Sequence, residues 1–163
     1  MNIFALNDNP VLAAQMQCDK HVVKMVLETA QMLSTVVGGP YKPTHVNHPC
    51  TIWARTSQGN FNWLVAHGLA LCNEYTRRYG KRHKCQEIIE NIGFTADCSH
   101  IPLGPRTPFA QCMPEQFRQP NAVLAYRAYY HSKPFAAWER GRAAPSWWQP
   151  VPALQHQPQG ALA

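Results

Sequence analysis

The chain has 163 residues, 45% of them hydrophobic and 15% charged, which is enough for one domain with a buried core and excludes a fibrous or disordered chain. Its formal net charge of +6 favours an anionic partner such as nucleic acid. It has no run of about 18 apolar residues, and its first ten residues lack the features of a signal peptide, so we expect a cytoplasmic protein that neither enters a membrane nor is exported.

The first predicted helix begins at Pro10 and ends near Val37. Asn9 is a suitable N-cap, and proline fits the first helical position because its missing N–H would have no intrahelical partner there. The Gly-Gly-Pro run at 38–40 ends the helix. Residues 3–6 precede it as a short strand or as an extended arm that packs on the core. The predicted apolar stripe consists of Leu12, Met16, Val22 or Val23, Val26, Leu33 and Val37.

A second long helix is predicted from Pro49 to Gly80, where glycine is a common C-terminal stop. Within it, Gly59 and Gly68 allow a break or a close contact with another helix. A shorter third helix is expected over residues 84–91. The core positions predicted for the second helix are Ile52, Phe61, Leu64, Val65, Leu71 and Tyr75.

The rest of the chain alternates between irregular and helical patterns. Residues 93–120 hold several prolines without a sustained hydrophobic period, which indicates an irregular surface segment, and NAVLAYRAYYHS at 121–132 predicts a helix. Residues 149–163 are rich in proline and glutamine and are predicted to form a disordered tail. The fold class is therefore mainly α, with one compact catalytic domain over residues 1–148. We expect three to five helices, a short extended N-terminal arm and a long irregular segment.

A polar seam formed by His21, Lys24 and Glu28 runs beside the apolar stripe of the first helix. Positions 21 and 28 are seven residues apart and share a face, and Gln31 extends the same strip. The seam can be a solvated helix face. One histidine, one lysine and one glutamate are sparse, however, for a surface that needs only solubility, so we interpret the seam as part of a functional site.

Two further groups of polar residues are candidates for binding. The loop before the second helix contains Tyr41, Lys42, His45, Asn47 and His48, which would lie at the positive end of that helix, where an anion such as phosphate is favoured. The second helix adds Trp53, Arg55, Asn60 and Trp63 as candidate substrate contacts.

The densest basic cluster lies at the end of the second helix and consists of Arg77, Arg78, Lys81, Arg82 and Lys84. Cations favour a helix C-terminus, but this preference accounts for only one or two of them. We therefore predict that the cluster binds DNA phosphates and that its binding weakens steeply with salt.

The six cysteines have no CxxC spacing, and most of them fall in predicted helices, so buried thiols are expected rather than disulfides. Two sets of side chains could ligate a metal: His45, His48 and Cys50, or Asp97, Cys98 and His100. Neither set has the repeated spacing of a structural zinc site, so we predict no metal and no cofactor.

Taken together, these residues resemble the pyrimidine-dimer DNA glycosylase family typified by phage endonuclease V, and within it a divergent phage-encoded subfamily. The resemblance is carried by DKH at 19–21 with Glu28 seven residues after the histidine, NHP at 47–49, NEYTRRYG at 73–80, and YRAYY and PSWW towards the end of the chain. It implies a small helical enzyme that flips a nucleotide out of double-stranded DNA and cleaves its N-glycosidic bond. A phage-encoded member would act in the host cytoplasm.

The resemblance also implies a chemistry. A glutamate on the first long helix faces the amine of the first residue, which attacks the sugar C1′ and forms a Schiff base before strand cleavage. An α-amine suits this role because more of it is neutral near pH 7 than of a lysine side chain. Glu28 matches that glutamate and would stabilise the cationic sugar and move protons, and His21 matches the family's histidine. Trp53, Trp63 and Tyr41 are candidates for the pocket of the flipped base.

The chain departs from the family at its second residue. The family's nucleophile is the amine of a small second residue exposed by removal of methionine, whereas Asn2 is too bulky for efficient removal. Met1 is therefore expected to remain, with its amine one residue further out. Either Met1 supplies the amine in a shifted geometry, with Asn2 beside it, or the protein has kept the fold and lost the lyase reaction.

Three functions stay open on the sequence. The leading one is a glycosylase with an additional lyase step at the abasic site. The second is a transferase that joins an amine or amino-acid co-substrate to an activated 5-hydroxymethylpyrimidine in DNA, with Glu28 or His21 as the base. The third is a non-catalytic module that binds nucleic acid through its basic and aromatic surface. The oligomeric state is open in all three.

Overall fold

The computed structural model describes residues 1–149, which form six α-helices and no β-strand. The helices are α1 (Pro10–Met16), α2 (Asp19–Val37), α3 (Pro49–Thr56), α4 (Gln58–Tyr79), α5 (Gln86–Thr95) and α6 (Ala122–His131). A 3-10 turn at Glu115–Phe117 lies in the long irregular segment between α5 and α6. No helix in this part of the chain is long and apolar enough to cross a bilayer. The predicted tail lies outside the described residues from position 150 onwards.

The mainly α class is confirmed, but the helix count exceeds the prediction because both long helices are broken. The first break lies at Gln17 and Cys18, whose backbone is extended. Its polar groups find distant partners, since the Tyr130 hydroxyl accepts the Cys18 N–H at 2.9 Å and Arg78 donates to the Gln17 carbonyl at 2.7 Å. Partners 60 or more residues away leave no local signal, so the sequence predicted one continuous helix.

The second break lies at Ser57, which is extended and caps α4 by accepting the Asn60 N–H at 3.1 Å. The irregular segment crosses this point, and the Gly59 N–H donates to the Gly104 carbonyl at 3.0 Å. A Cβ on Gly59 would lie 2.3 Å from the Arg106 backbone nitrogen, so the crossing requires glycine. The close approach predicted at Gly59 is therefore made by the irregular segment.

Helix α4 lies at the centre and packs against α1, α2, α3 and α5. Gly68 makes this possible on one face, since a Cβ there would lie 2.8 Å from Thr29 of α2 and 3.2 Å from Ile89 of α5. The two breaks change the helical register, so the prediction that Leu12 and Ile52 lie in the core is wrong. Leu12 of α1 is 43% exposed and Ile52 of α3 is 41% exposed.

The N-terminal arm, residues 2–6, is buried and irregular rather than a strand. The Asn2 side-chain oxygen accepts the N–H groups of Ile3 at 2.7 Å and Phe4 at 3.1 Å. Phe4 has a φ of 42°, a left-handed conformation that an aromatic residue adopts only when its surroundings impose it. The arm is therefore held in a bent path by its own second residue.

Two buried histidines make the fold sensitive to acid. Burial lowers the pKa of His67 from 6.5 to about 4 and that of His21 to about 3. Because both folded pKa values lie below the unfolded value, the unfolded chain binds more protons once the pH falls below about 6.5, and stability is lost from there downwards. Between pH 7.5 and pH 5.0 we expect the free energy of unfolding to fall by roughly 2 kcal/mol for each histidine, measured by urea denaturation.

His67→Phe provides the control, because it removes one of the two titrating rings while filling the same space. The variant should lose less stability over this pH range than the wild-type chain. Equal losses in the two proteins, or a wild-type stability that does not change, would contradict the assignment.

Candidate active site

The N-terminal arm covers the polar seam of α2, which explains why this helix buries an acid and a histidine. The Asn2 N–H donates to Glu28 Oε2 at 3.0 Å, and the Phe4 ring stacks on His21 with centroids 4.3 Å apart. Residue 2 thus lies at one end of the seam and residue 4 at the other, two helical turns away. Without the arm, this face of α2 would be open to solvent.

Two cationic groups lie close to the Glu28 carboxylate. The Met1 amine nitrogen lies 3.6 Å from Oε2, and the Lys24 ammonium lies 3.4 Å from Oε1. The Glu28 side chain is only 10% exposed, whereas that of Lys24 is 68% exposed. A largely enclosed acid beside an α-amine can exchange a proton with that amine and can stabilise a cation formed on it.

His21 is held as a neutral ring. Its Nδ1 lies 2.8 Å from the Tyr130 hydroxyl, which also accepts the Cys18 N–H, and donation of the hydroxyl proton to Nδ1 would place the ring proton on Nε2. Burial lowers the pKa of His21 to about 3, and the charges of Lys133 and Lys24 act in the same direction. Near neutral pH the ring is therefore an N–H donor and not a cation.

A thiol pair and a histidine border the amine. His48 caps α3 by accepting the Cys50 N–H on Nδ1 at 3.1 Å, and Cys50 Sγ lies 3.1 Å from Cys112 Sγ. The pKa of His48 is lowered by burial and by the charge of the Met1 amine. The hydrogen bond from Cys50 lowers the pKa of Cys112, and the same amine contributes to that shift. Asn2 also reaches this group, since its side-chain amide donates to the Cys112 carbonyl at 2.8 Å.

A groove of about 630 Å³, here called the basic groove, opens beside Lys24. Its apolar part includes Val23 and Leu27 of α2, and Tyr41 and Tyr75 contribute rings. Its basic edge is formed by residues 81–84, which connect α4 to α5. Lys24 lines the groove and also contacts Glu28, so one side chain links the groove to the carboxylate.

Three predicted substrate contacts lie in the core instead. Trp53 and Trp63 are 5% and 7% exposed, and their rings pack edge to face with centroids 5.9 Å apart. Asn60 is fully buried and donates to the Trp53 carbonyl and the Thr107 hydroxyl, both at 2.8 Å. Their polar atoms are used inside the protein, so these three residues stabilise the fold, and the proposal that they contact substrate is corrected.

The prediction that Arg78 binds a DNA phosphate is also corrected. Its side chain is fully buried, and it donates to Glu74 at 3.0 Å and to Asp19 at 3.1 Å. It also donates to the backbone carbonyls of Gln15 and Gln17, so four of its five N–H groups have partners inside the protein, and the buried side chain does not face a phosphate. The motif that contains Arg78 therefore holds the break between α1 and α2 in place.

The other predicted phosphate and substrate contacts remain near the surface. Arg77, Lys81, Arg82 and Lys84 are exposed, and Arg82 also pairs with Glu90. In the loop before α3, Lys42, His45 and Asn47 are exposed. Gln31 and Arg55 are half-buried, and Arg55 donates to the Val46 carbonyl.

Three residues of the site were missed by the sequence-based reasoning. Tyr130 and Lys133 come from α6 and the turn after it, and both face His21; the Lys133 ammonium also lies 3.9 Å from the Tyr129 ring centroid. Cys112 reaches the site from the irregular segment, 62 residues after Cys50. The YRAYY stretch was noticed as aromatic, but no spacing connects it or Cys112 to the helix that carries Glu28.

Comparison with known families identifies the class. The model of the pyrimidine dimer DNA glycosylase family matches residues 1–87, more than half of the chain, and the protein belongs to this family. The match covers the arm, α1–α4 and the basic connection up to α5, and it lends no support to the transferase or to the non-catalytic module. No curated protein and no solved structure matches the chain significantly.

Two neighbouring arginines at the end of α4 test whether Arg78 has a structural role. Arg78→Met should lower the free energy of unfolding by about 3 to 5 kcal/mol, because it leaves Asp19 and Glu74 buried with one fewer cation. Arg77→Met should change it by less than about 0.5 kcal/mol, because Arg77 is exposed. Urea denaturation of both variants gives the comparison. An Arg78→Met variant as stable as the wild-type chain would refute the structural role.

Proposed function

We propose that this protein removes a damaged pyrimidine from double-stranded DNA, with the amine of Met1 as nucleophile and Glu28 as the acid–base group. Cleavage of the N-glycosidic bond is followed by a lyase step at the resulting abasic site. The observation that carries the proposal is the position of the Met1 nitrogen, 3.6 Å from a carboxylate whose side chain is only 10% exposed.

The extra residue at the start of the chain is compatible with this chemistry. Glu28 Oε2 accepts the backbone N–H of Asn2 at 3.0 Å and also lies within ion-pair distance of the Met1 amine. One carboxylate oxygen therefore reaches both the nitrogen that the family uses and the nitrogen one residue further out. The shifted amine keeps an acid–base partner, which supports retention of the lyase reaction.

The reaction would run in two steps. First, Glu28 takes a proton from the Met1 ammonium, and the neutral nitrogen bonds to C1′ while the bond from C1′ to the base breaks and the base leaves with the electron pair. The bonded nitrogen then loses one of its two protons, and O4′ takes the proton from Glu28 as the sugar ring opens, which gives a protonated Schiff base and restores the carboxylate. Then removal of a C2′ proton expels the 3′ phosphate and cleaves the strand. The carboxylate stabilises the cationic intermediates without itself changing position.

The basic groove is suited to the displaced nucleotide. A base taken out of the stack needs an apolar or aromatic surface and nearby cations for the flanking phosphates. The groove offers Val23, Leu27 and the Tyr41 ring, with Lys81 and Lys84 on its edge. Its volume of about 630 Å³ lies in the range of small-molecule sites. Base flipping into this groove is therefore part of the proposal.

Borohydride trapping on duplex DNA with a thymine dimer tests the catalytic role of Glu28. The wild-type chain should form a covalent adduct, and Glu28→Gln should form it about 100- to 10,000-fold more slowly, because the amide cannot accept the ammonium proton. Glu115→Gln, at an exposed acid of the irregular segment, is the matched control and should trap at the wild-type rate.

Binding measured by fluorescence anisotropy separates chemistry from recognition. Glu28→Gln should bind the duplex as tightly as the wild-type chain. The proposal fails if no adduct forms on dimer-containing or abasic duplexes, or if Glu28→Gln traps at the wild-type rate.

The basic edge of the groove gives a prediction on salt dependence. Each phosphate contact contributes about 0.9 to the slope of log affinity against log salt, so Lys81→Met with Lys84→Met should make the slope shallower by about 2. Arg118→Met changes an exposed cation that does not line the groove and should leave the slope unchanged. Equal slopes for the double variant and the wild-type chain would exclude the groove edge as a phosphate site.

A further inference from the structure

The thiol pair next to the arm forms a cluster with a histidine that the proposed reaction does not use. The cluster consists of His48, Cys50 and Cys112. Each residue offers one ligand atom, and these three atoms lie within 4.8 Å of one another. Cys50 is buried, and His48 and Cys112 are half-buried. The third member comes from the irregular segment, so the fold, and not the local sequence, assembles the cluster.

The donor set is one that zinc prefers. Two cysteine sulfurs and one imidazole are soft or intermediate ligands, which favour zinc over magnesium or calcium. His48 Nδ1 accepts a backbone N–H, so its lone pair faces the protein and the proton of the neutral ring is on Nε2. Binding at Nδ1 would exchange that hydrogen bond for a metal bond. Three protein ligands leave the fourth position of a tetrahedral zinc to water.

The distance between the two sulfurs is close to the one that such a site needs. Zinc bonds of about 2.3 Å to sulfur place two thiolates about 3.8 Å apart in tetrahedral geometry. The two sulfurs lie 3.1 Å apart, so each would move by a few tenths of an ångström. The backbone around Cys112 is held in place, since its N–H donates to the Tyr126 hydroxyl at 3.3 Å and its carbonyl accepts from Asn2 at 2.8 Å.

We propose that His48, Cys50 and Cys112 bind one zinc ion, which ties the irregular segment to the start of α3. The tie lies one hydrogen bond from the arm, because Asn2 is bonded to the Cys112 carbonyl. Zinc would therefore stabilise the arm that covers Glu28. This site is independent of the glycosylase reaction and would persist if that reaction were absent.

Cobalt titration of the reduced, chelator-treated wild-type protein tests the site. A thiolate-to-cobalt charge-transfer band that saturates at one ion per chain, and that zinc displaces, supports the proposal. Cys112→Ser should lose at least about 100-fold in zinc affinity, since loss of even an outer partner of a ligand costs about 10- to 100-fold. Cys98→Ser, at a half-buried thiol outside the cluster, should bind zinc as the wild-type chain does.

A second measurement needs no variant. Zinc should protect Cys50 and Cys112 from alkylation by iodoacetamide in the folded wild-type protein, as mapped by peptide mass spectrometry. Two outcomes overturn the proposal: a reduced, folded protein without a cobalt–thiolate band, or a purified protein in which Cys50 and Cys112 form a disulfide that accounts for their proximity.

Discussion

The hydrogen bond from the Asn2 N–H to the Glu28 carboxylate is the contact on which the arrangement of the site depends. A carboxylate enclosed by protein needs partners, and without the arm Glu28 would keep only Lys24, most of whose side chain lies in solvent. The arm in turn adopts a bent path that costs about 1–3 kcal/mol at Phe4, and stacking of that ring on His21 offsets part of this cost. The acid, the arm and the amine are therefore interdependent.

The same arrangement depends on how the start of α2 is positioned. Arg78 donates to the Gln17 carbonyl and to Asp19, and so connects the end of α4 to the break between α1 and α2. The break allows α2 to start in a new direction, with its polar seam beneath the arm. A buried cation of α4 thus holds the start of the helix that carries Glu28. Substitutions in this network should act through stability and not through DNA contacts.

The sequence was sufficient for the helical class, the helix caps at Asn9 and Gly80, and the pairing of Glu28 with the start of the chain. The class and the caps follow from periodicity and local capping residues, whereas the pairing of Glu28 with the first residue was implied by the resemblance to the family. The helix breaks and the position of Cys112 could not be predicted, because long-range hydrogen bonds and a crossing segment determine them. The sequence also assigned two tryptophans to a base pocket, since an aromatic ring in a core and one in a pocket have the same local pattern.

The central claim is that the amine of Met1, held against Glu28, is the group that reacts with the sugar. The most direct measurement is peptide mass spectrometry of the borohydride-fixed protein–DNA adduct. We predict that the sugar remnant is attached to the α-amine of Met1, 3.6 Å from the carboxylate. Attachment to the side chain of Lys24, which lies 3.4 Å from the same carboxylate, would contradict the account.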